Sequence, residues 1–422
     1  MIDRIRRALN EMGAAQYLIR QSREEAAELF FIRARREMTR IKDVTRLSVT
    51  LYRDFEADGR KMRGEAEATV FPGMADGALR AALQTAYDAA GHVKNPWFEL
   101  PDPASGAVEE PEIDLAQAAN ALAAGLFGAD EADAFVNSAE VFAIRRTVRI
   151  VSSRGTDARY VKHVFKGEFV AQCVTPEDVE LYGDFEYDAP DAPALSKAAG
   201  ELVAAARDRA RAAEAPAAGK YAMILEGKHL STLFSAYLEK AAASMVYAKY
   251  SNYEIGASAQ GADVRGEKID MTLRAREPFS DEGVPMRDRA LIENGTLKAF
   301  YGAARFCRYL GIEPTGVYRS VRVDNGSVSL EEMKKKPHIR PLAFSDFQMD
   351  PFSGHFGGEI RLAYVFDGEK TQVVTGGSVN GSLFEAQGNL TFSTERYRDA
   401  DYEGPLAVRL PSVMVAGESD GT

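Results

Sequence analysis

The sequence predicts an α+β chain of two domains: an N-terminal domain of strands and helices, and a C-terminal domain that is mainly β with one long helix. Three observations lead there. Runs in the first half alternate charged with apolar residues and are rich in β-branched and aromatic side chains, the pattern of half-buried strands. Two alanine-rich stretches, 75–91 and 114–127, repeat their apolar residues at helical spacing instead. The small, polar segment EAPAAGK (214–220) then divides the chain, and beyond it short strands alternate with glycine-rich turns. Strands and helices do not alternate regularly enough for a doubly wound sheet. The expected division is therefore 1–213, a linker at 214–220, and 221–422.

The elements follow in order. MIDRIRRALNEMG (1–13) alternates charge with aliphatic residues and reads as a short amphipathic helix, without the apolar centre of a signal peptide. AELFFIRARREMTRI (27–41), RLSVTLYRDF (46–55) and RGEAEATVFPG (63–73) read as strands, although EEAAELFF (24–31) also fits a helix. Asp58-Gly59 lies between two of these runs and is a hairpin signal. Helix 75–91 stops at Gly91. Residues 95–112 hold four prolines and read as an exposed loop. After helix 114–127, residues 134–186 return to strands, with turns expected at Gly155 and Gly167. DAPDAPALS (188–196) opens a helix running to about 213. YAMILEG (221–227) is a strand and residues 228–247 are one helix. Later turns are expected at Glu293-Asn294-Gly295, Asp324-Asn325-Gly326 and Asp367-Gly368.

Composition removes several functions. Of 422 residues, 45% are hydrophobic and 27% charged, which supplies ample core. The net charge of −11 gives no counterion-release advantage on a phosphate backbone, so direct nucleic-acid binding is not expected. The cluster Arg33, Arg35 and Arg36 reads as a solvated face. Cys173 and Cys307 are isolated and read as buried thiols. No membrane span is expected, because no window approaches about 18 uninterrupted apolar residues. Cytoplasmic placement follows as the default.

Candidate chemistry is sparse. Neither a Walker nor a Rossmann glycine pattern is present. The runs 354–358 (GHFGG) and 375–378 (TGGS) lie in strand-patterned sequence, where turns and bulges explain them first and a peptide-binding wall second. Catalytic zinc needs three protein ligands and an open position. The histidines are His92, His163, His229, His338 and His355, and no two lie within one helical turn. His229 reads as a capping or surface residue. Ser231, two positions later, would point roughly 200° away from it on a helix. Asp281 and Glu282 are adjacent acids in a Gly-Pro loop and read as solvated turn residues near Arg287 or Arg289. The spacing of Asp350, Glu359 and Glu369 assigns them no role.

SDEGVPMRDRALIENGTLKAFYGAARFCRYLG (280–311) resembles the TldD/PmbA family, with its Asp-Glu-Gly-Val-Pro loop, an arginine-containing strand, Glu-Asn-Gly, and a helix ending in Leu-Gly. Three further blocks are similar: FSGHFGGEIRLAYVFDGEK (352–370), in which His355 replaces the usual Asp, VVTGGSVNGSL (373–383) and LPSVMVAG (410–417). The resemblance covers most of the chain and is specific over about 219–417. It implies a two-domain subunit that assembles with a related one, and metallopeptidase action on unfolded or small peptides. In such pairs the TldD-like subunit binds zinc through His-Glu-x-x-x-His and a C-terminal cysteine, and the PmbA/TldE-like subunit lacks these residues. LFSAYLEKAA (233–242) aligns with that zinc helix. Ser235 and Ala236 stand in place of His-Glu, and Lys240 stands in place of the second histidine. NLTFSTERYRDADYEGPLAVRL (389–410) supplies no cysteine.

The expectation is a zinc-less, TldE/PmbA-like subunit with no catalytic residue and no cofactor of its own. Its partner would be a zinc-bearing TldD-like subunit, or a second copy of itself. A peptide would be held by β-augmentation against His355, Gly357, Gly358, Gly376, Gly377, Asp281 and Glu282. Two alternatives stand beside it: a self-associating peptide-binding scaffold, and a hydrolase using His355 with Asp350 and Glu359.

Overall fold

Alternation of apolar and charged residues along the first seventy positions produces three long antiparallel strands. The computed structural model describes residues 1–417. Helix α1 (Ile2–Glu11) leads into β1 (Gln16–Ile32), β2 (Arg35–Ala57) and β3 (Arg60–Val70). Helix α2 (Asp76–Ala90), strand β4 (Ser105–Val108) and helix α3 (Leu115–Leu126) follow. Then come β5 (Ala134–Ser152), β6 (Asp157–Cys173), β7 (Val179–Tyr187) and helix α4 (Ala192–Ala210). The strands make one sheet in the order β3-β2-β1-β5-β6-β4, with β7 also on β6. Only β4 runs parallel to its neighbour.

The turns show which signals were local. Asp58 and Gly59 both adopt positive φ (53° and 69°), as a two-residue hairpin matching strand twist requires. The β1–β2 turn falls at Arg33-Ala34, inside what reads as one strand. Arg33 takes φ 56° without a glycine. Its N–H donates to the Asn137 carbonyl at 2.7 Å, and its guanidinium lies 3.2 Å from the Phe135 ring centroid. Gly167 is not a turn. It lies inside β6 because a Cβ there would come within 2.0 Å of the Glu140 carbonyl oxygen. The 95–112 loop contributes β4, so it is not wholly irregular.

Odd positions of β1 share one sheet face. At one end α1 and α2 cover it, packing Ile5, Leu9 and Leu83 over Ile19 and Val49. At the other end α3 and α4 pack Leu122, Leu126 and Val203 over Leu29 and Val141. Gln21 and Arg23 lie between the two helix pairs and line a cavity of about 540 Å³ with Arg145, Arg149, Asp157 and Arg159. Each guanidinium there meets a carboxylate: Arg23 with Asp43 (2.8 Å), Arg145 with Glu25 (3.4 Å), Arg149 with Asp157 (2.8 Å) and Arg159 with Glu109 (3.4 Å).

The second half begins with β8 (Gly219–Glu226), α5 (His229–Lys240) and α6 (Ala243–Tyr247). The single helix expected over 228–247 is thus two. Ala242 turns extended (ψ 131°), and the Ala243 N–H donates to the Tyr301 carbonyl at 2.8 Å, so a neighbouring backbone takes over where alanine propensity alone would continue the helix. Next are β9 (Met271–Arg274), β10 (Arg289–Glu293), β11 (Thr296–Leu297), α7 (Ala304–Tyr309), β12 (Ser320–Val323) and α8 (Leu330–Lys334). The chain continues through β13 (His338–Met349), β14 (His355–Phe366), β15 (Thr371–Val374), β16 (Ser378–Ser382) and α9 (Leu383–Ala386). It ends with β17 (Thr391–Phe392), β18 (Arg396–Arg398), β19 (Tyr402–Pro405) and β20 (Ala407–Ala416).

Strands β13-β8-β20-β16-β14 close into a small barrel, because β14 also pairs with β13. A second sheet runs β11-β10-β9-β12-β19-β18. Helix α5 joins the two. Phe234 is fully buried, stacks on Tyr402 of the second sheet (5.7 Å) and meets Phe392 edge-on beside the barrel (5.7 Å). The α+β class and the strand-rich C-terminal half are as the sequence implies.

Phe234→Ala is expected to lower stability by about 3–5 kcal/mol, the range for emptying a buried aromatic site. Urea unfolding measures it, and a loss under about 1 kcal/mol would contradict the shared-core arrangement. Gly167→Ala should also destabilise, because Glu140 offers no room for the methyl group.

Candidate functional site

Helix α5 fixes the site. Leu230, Leu233, Phe234, Ala236, Tyr237 and Leu238 are its buried positions. The Ser235 hydroxyl donates to the Thr232 carbonyl at 2.7 Å, and Ala236 lies wholly inside the core. Lys240 occupies the last turn, where a cation favours the helix dipole. Its ammonium lies 4.2 Å from the Phe384 ring centroid and 4.8 Å from that of Tyr253. Burial lowers the Lys240 pKa, and burial raises that of neighbouring Glu239.

These residues do not fit a zinc centre. A committed hydroxyl, a methyl group and an ammonium supply no ligand set. The Cys307 thiol is pushed up to about 11 by burial and donates to the Gly302 carbonyl at 3.3 Å, so it is not a thiolate. His229 does not cap α5. Its ring packs edge-on against Phe344 (4.9 Å) and Phe347 (5.6 Å), and burial pushes its pKa down to about 4. Among the described residues no three His, Cys, Asp or Glu side chains group as a metal site would need. Both cysteines are buried and free.

The glycine-rich blocks separate. Gly354 has φ 73°, and a Cβ on it would come within 2.5 Å of the Phe384 ring. His355 follows, exposed, at the start of β14 opposite Ser382. The Asp350 carboxylate accepts from the Ser353 hydroxyl and the Phe352 N–H, which hold its pKa low. Glu359 is four strand positions from His355, roughly 13 Å along the strand, and accepts from the Ser345 hydroxyl at 2.7 Å. Glu359 therefore does not join His355 and Asp350, which neighbour each other through the Asp350 N–H donating to the His355 carbonyl at 2.8 Å. Gly357 and Gly358 lie within β14, and Gly358 makes room for the Phe344 ring. Gly376 and Gly377 turn the chain between β15 and β16 at positive φ, level with Ile360. Barrel closure also limits β-augmentation. Beyond Pro341, β13 pairs only with β14.

Asp281 and Glu282 join a different neighbourhood. Asp281 pairs with Arg20 of β1 at 2.8 Å, rather than with Arg287 or Arg289. Glu282 accepts from the Ala304 N–H at 2.8 Å. Burial pushes its carboxyl up to about 6 against that hydrogen bond, and the charge of Glu65 adds to the rise. Arg305 bridges to Glu65 of β3, so this loop ties the C-terminal half to the first sheet.

The residues that the sequence reading passed over are Tyr253 and Phe384, the rings against Lys240, and an exposed aromatic pair on neighbouring stretches of the same segments. Tyr250 and Phe352 are 66% and 53% exposed yet meet edge-on at 5.5 Å. The one available signal was Tyr247, Tyr250 and Tyr253 recurring every third position.

Glu282 gives a pH prediction. Its folded pKa exceeds the ordinary 4.5, so the native state binds the extra proton and stability falls as pH rises from about 4.5 to 6. Glu282→Gln should match wild type below that window and exceed it by about 1 kcal/mol above it. Urea midpoints at pH 4 and pH 7.5 measure the difference, and a gap independent of pH would refute the assignment.

Residues 218–419 match the model of the PmbA/TldA metallopeptidase C-terminal domain. No curated protein matches the chain. Solved structures share the fold over nearly its whole length. TldE from Thermococcus kodakarensis has a TM-score of 0.78 at 16% identity, covering 99% of this chain and 100% of that one. A protein from Bacteroides thetaiotaomicron described as a modulator of DNA gyrase has a TM-score of 0.77 at 14% identity, covering 99% of both chains. Another so described, from Thermotoga maritima, has a TM-score of 0.74 at 16% identity, covering 98% of this chain and 99% of that one. Residues 218–419 thus carry the PmbA/TldA metallopeptidase C-terminal domain, and the chain as a whole shares the fold of these structures.

Proposed function

We propose that this chain is a non-catalytic, TldE/PmbA-like subunit of a metallopeptidase that acts on unfolded or small peptides, and that a TldD-like partner carries the zinc. The observation that carries this reading is the chemistry of α5. Ser235 is bonded to its own helix, Ala236 has no donor atom, and Lys240 presents a cation. A positive charge there repels a divalent cation instead of binding it. The family match and the likeness to a TldE structure support the same reading. The role of the chain is then to complete a chamber and to hold peptide while the partner supplies the metal. No helix among the described residues is long and apolar enough to cross a membrane.

Two measurements on the purified full chain test this. Zinc content at neutral pH without chelator should fall well below one per chain, and the chain alone should not hydrolyse an unfolded peptide. Mixing with a TldD-like subunit from the same source should yield hydrolysis. Stoichiometric zinc, or cleavage by the chain alone, would overturn the proposal.

A further inference from the structure

We infer that Lys240 anchors the C-terminal carboxylate of a bound peptide, with the exposed Tyr250–Phe352 pair receiving the apolar side chain next to it. The inference rests on the peptide-binding reading above and adds which end of the peptide is held, and by what.

The Lys240 ammonium has three N–H donors, and among the described residues none donates a hydrogen bond within 3.5 Å or meets a carboxylate within 4.0 Å. The chain has 63 acidic residues, and other part-buried lysines use them: Lys42 meets Glu24 at 2.5 Å and Lys162 meets Glu277 at 2.8 Å. Lys240 instead faces the rings of Phe384 and Tyr253, which hold a cation in place but accept none of its hydrogen bonds. A half-buried ammonium of that kind gains most from an incoming anion, since a charge-assisted hydrogen bond replaces water that burial has partly removed.

The surroundings select the anion. The 352–354 segment makes two contacts here with two other segments: Gly354 packs on Phe384, which faces Lys240, and two residues earlier Phe352 packs on Tyr250. The left-handed turn at Gly354 lets the first contact form beside the second. One cation against two aromatic rings, with an exposed aromatic pair carried by the same 250–253 and 352–354 segments, suits a singly charged, amphiphilic group. A phosphate would call for the bidentate arginines that the described residues do not place against these rings. A terminal carboxylate next to an apolar side chain has the required chemistry, and so does a glutamate side chain, which the test separates.

The experiment uses the full chain and fluorescently labelled decapeptide pools of random sequence ending in leucine, as free acid and as C-terminal amide. A third pool, also amidated, ends in glutamate. Anisotropy should show the free acid binding about tenfold tighter than either amide, the size of one lost charged hydrogen bond. Lys240→Met keeps the aliphatic stem and should bind all three pools alike, at the affinity of the amides. Lys240→Arg should retain the preference. Equal binding of leucine acid and amide by the wild type would overturn the anchor while leaving peptide binding intact. Equal binding of leucine acid and glutamate amide would overturn the terminal assignment. Failure of every pool to bind would overturn both the anchor and the peptide-binding reading.

Discussion

Burial of α5 between the barrel and the second sheet is the constraint on which the C-terminal half depends. Phe234 and Tyr237 are fully enclosed, and the same core takes in residues from β8, β9, β12, β14 and β20. Neither sheet hides its inner face alone, and the helix supplies the common filling. Because its apolar positions must point inward, the end of its last turn must leave the core. Lys240 emerges there, beside the aromatic rings that α9 and the 250–253 segment bring alongside.

That geometry separates two jobs that share one stretch of chain. The buried positions of α5 are held by packing, and changing them disturbs the domain. Ser235 and Lys240 are only part-buried, so their identity is free to change with function at small cost to the fold. A helix can in this way lose or gain chemistry while its packing face stays in place. The loop at Asp281 and Glu282 does a third thing: Asp281 meets Arg20 of β1 and so links the halves of the molecule, while Glu282 accepts from the first amide of α7 within the C-terminal half.

How much was legible follows from how local each cause is. The strands of the first sheet were visible because alternation needs only neighbours in sequence, and Asp58-Gly59 because its turn is decided by two residues. The turn at Arg33-Ala34 was not visible, since Phe135 and Asn137, a hundred positions away, hold it. Gly167 looked like a turn because glycine marks close approach as well as reversal, and only the neighbouring strand shows which. The break after α5 was hidden by alanines that favour continuing the helix. At the site, the serine and lysine of α5 could be read from their place in the motif, but the rings around Lys240 come from segments far apart in sequence. A threefold tyrosine spacing does not by itself announce a surface cluster.

The polar gap between the helix pairs of the first sheet has a consequence for how so large a sheet finds one alignment. Strands β1 and β2 match over seventeen positions, and a slip of two would keep every side chain on its proper face. Apolar alternation alone cannot tell the two alignments apart. The charged rows can: Arg23 with Asp43, Arg145 with Glu25, and Arg149 with Asp157 lie at fixed heights across four strands. A two-residue slip would pull these rows out of step and carry charge toward the apolar ends. The belt thus acts as an index mark, and what looks like a hole in the core is the feature that lets the chain recognise a misaligned sheet as wrong.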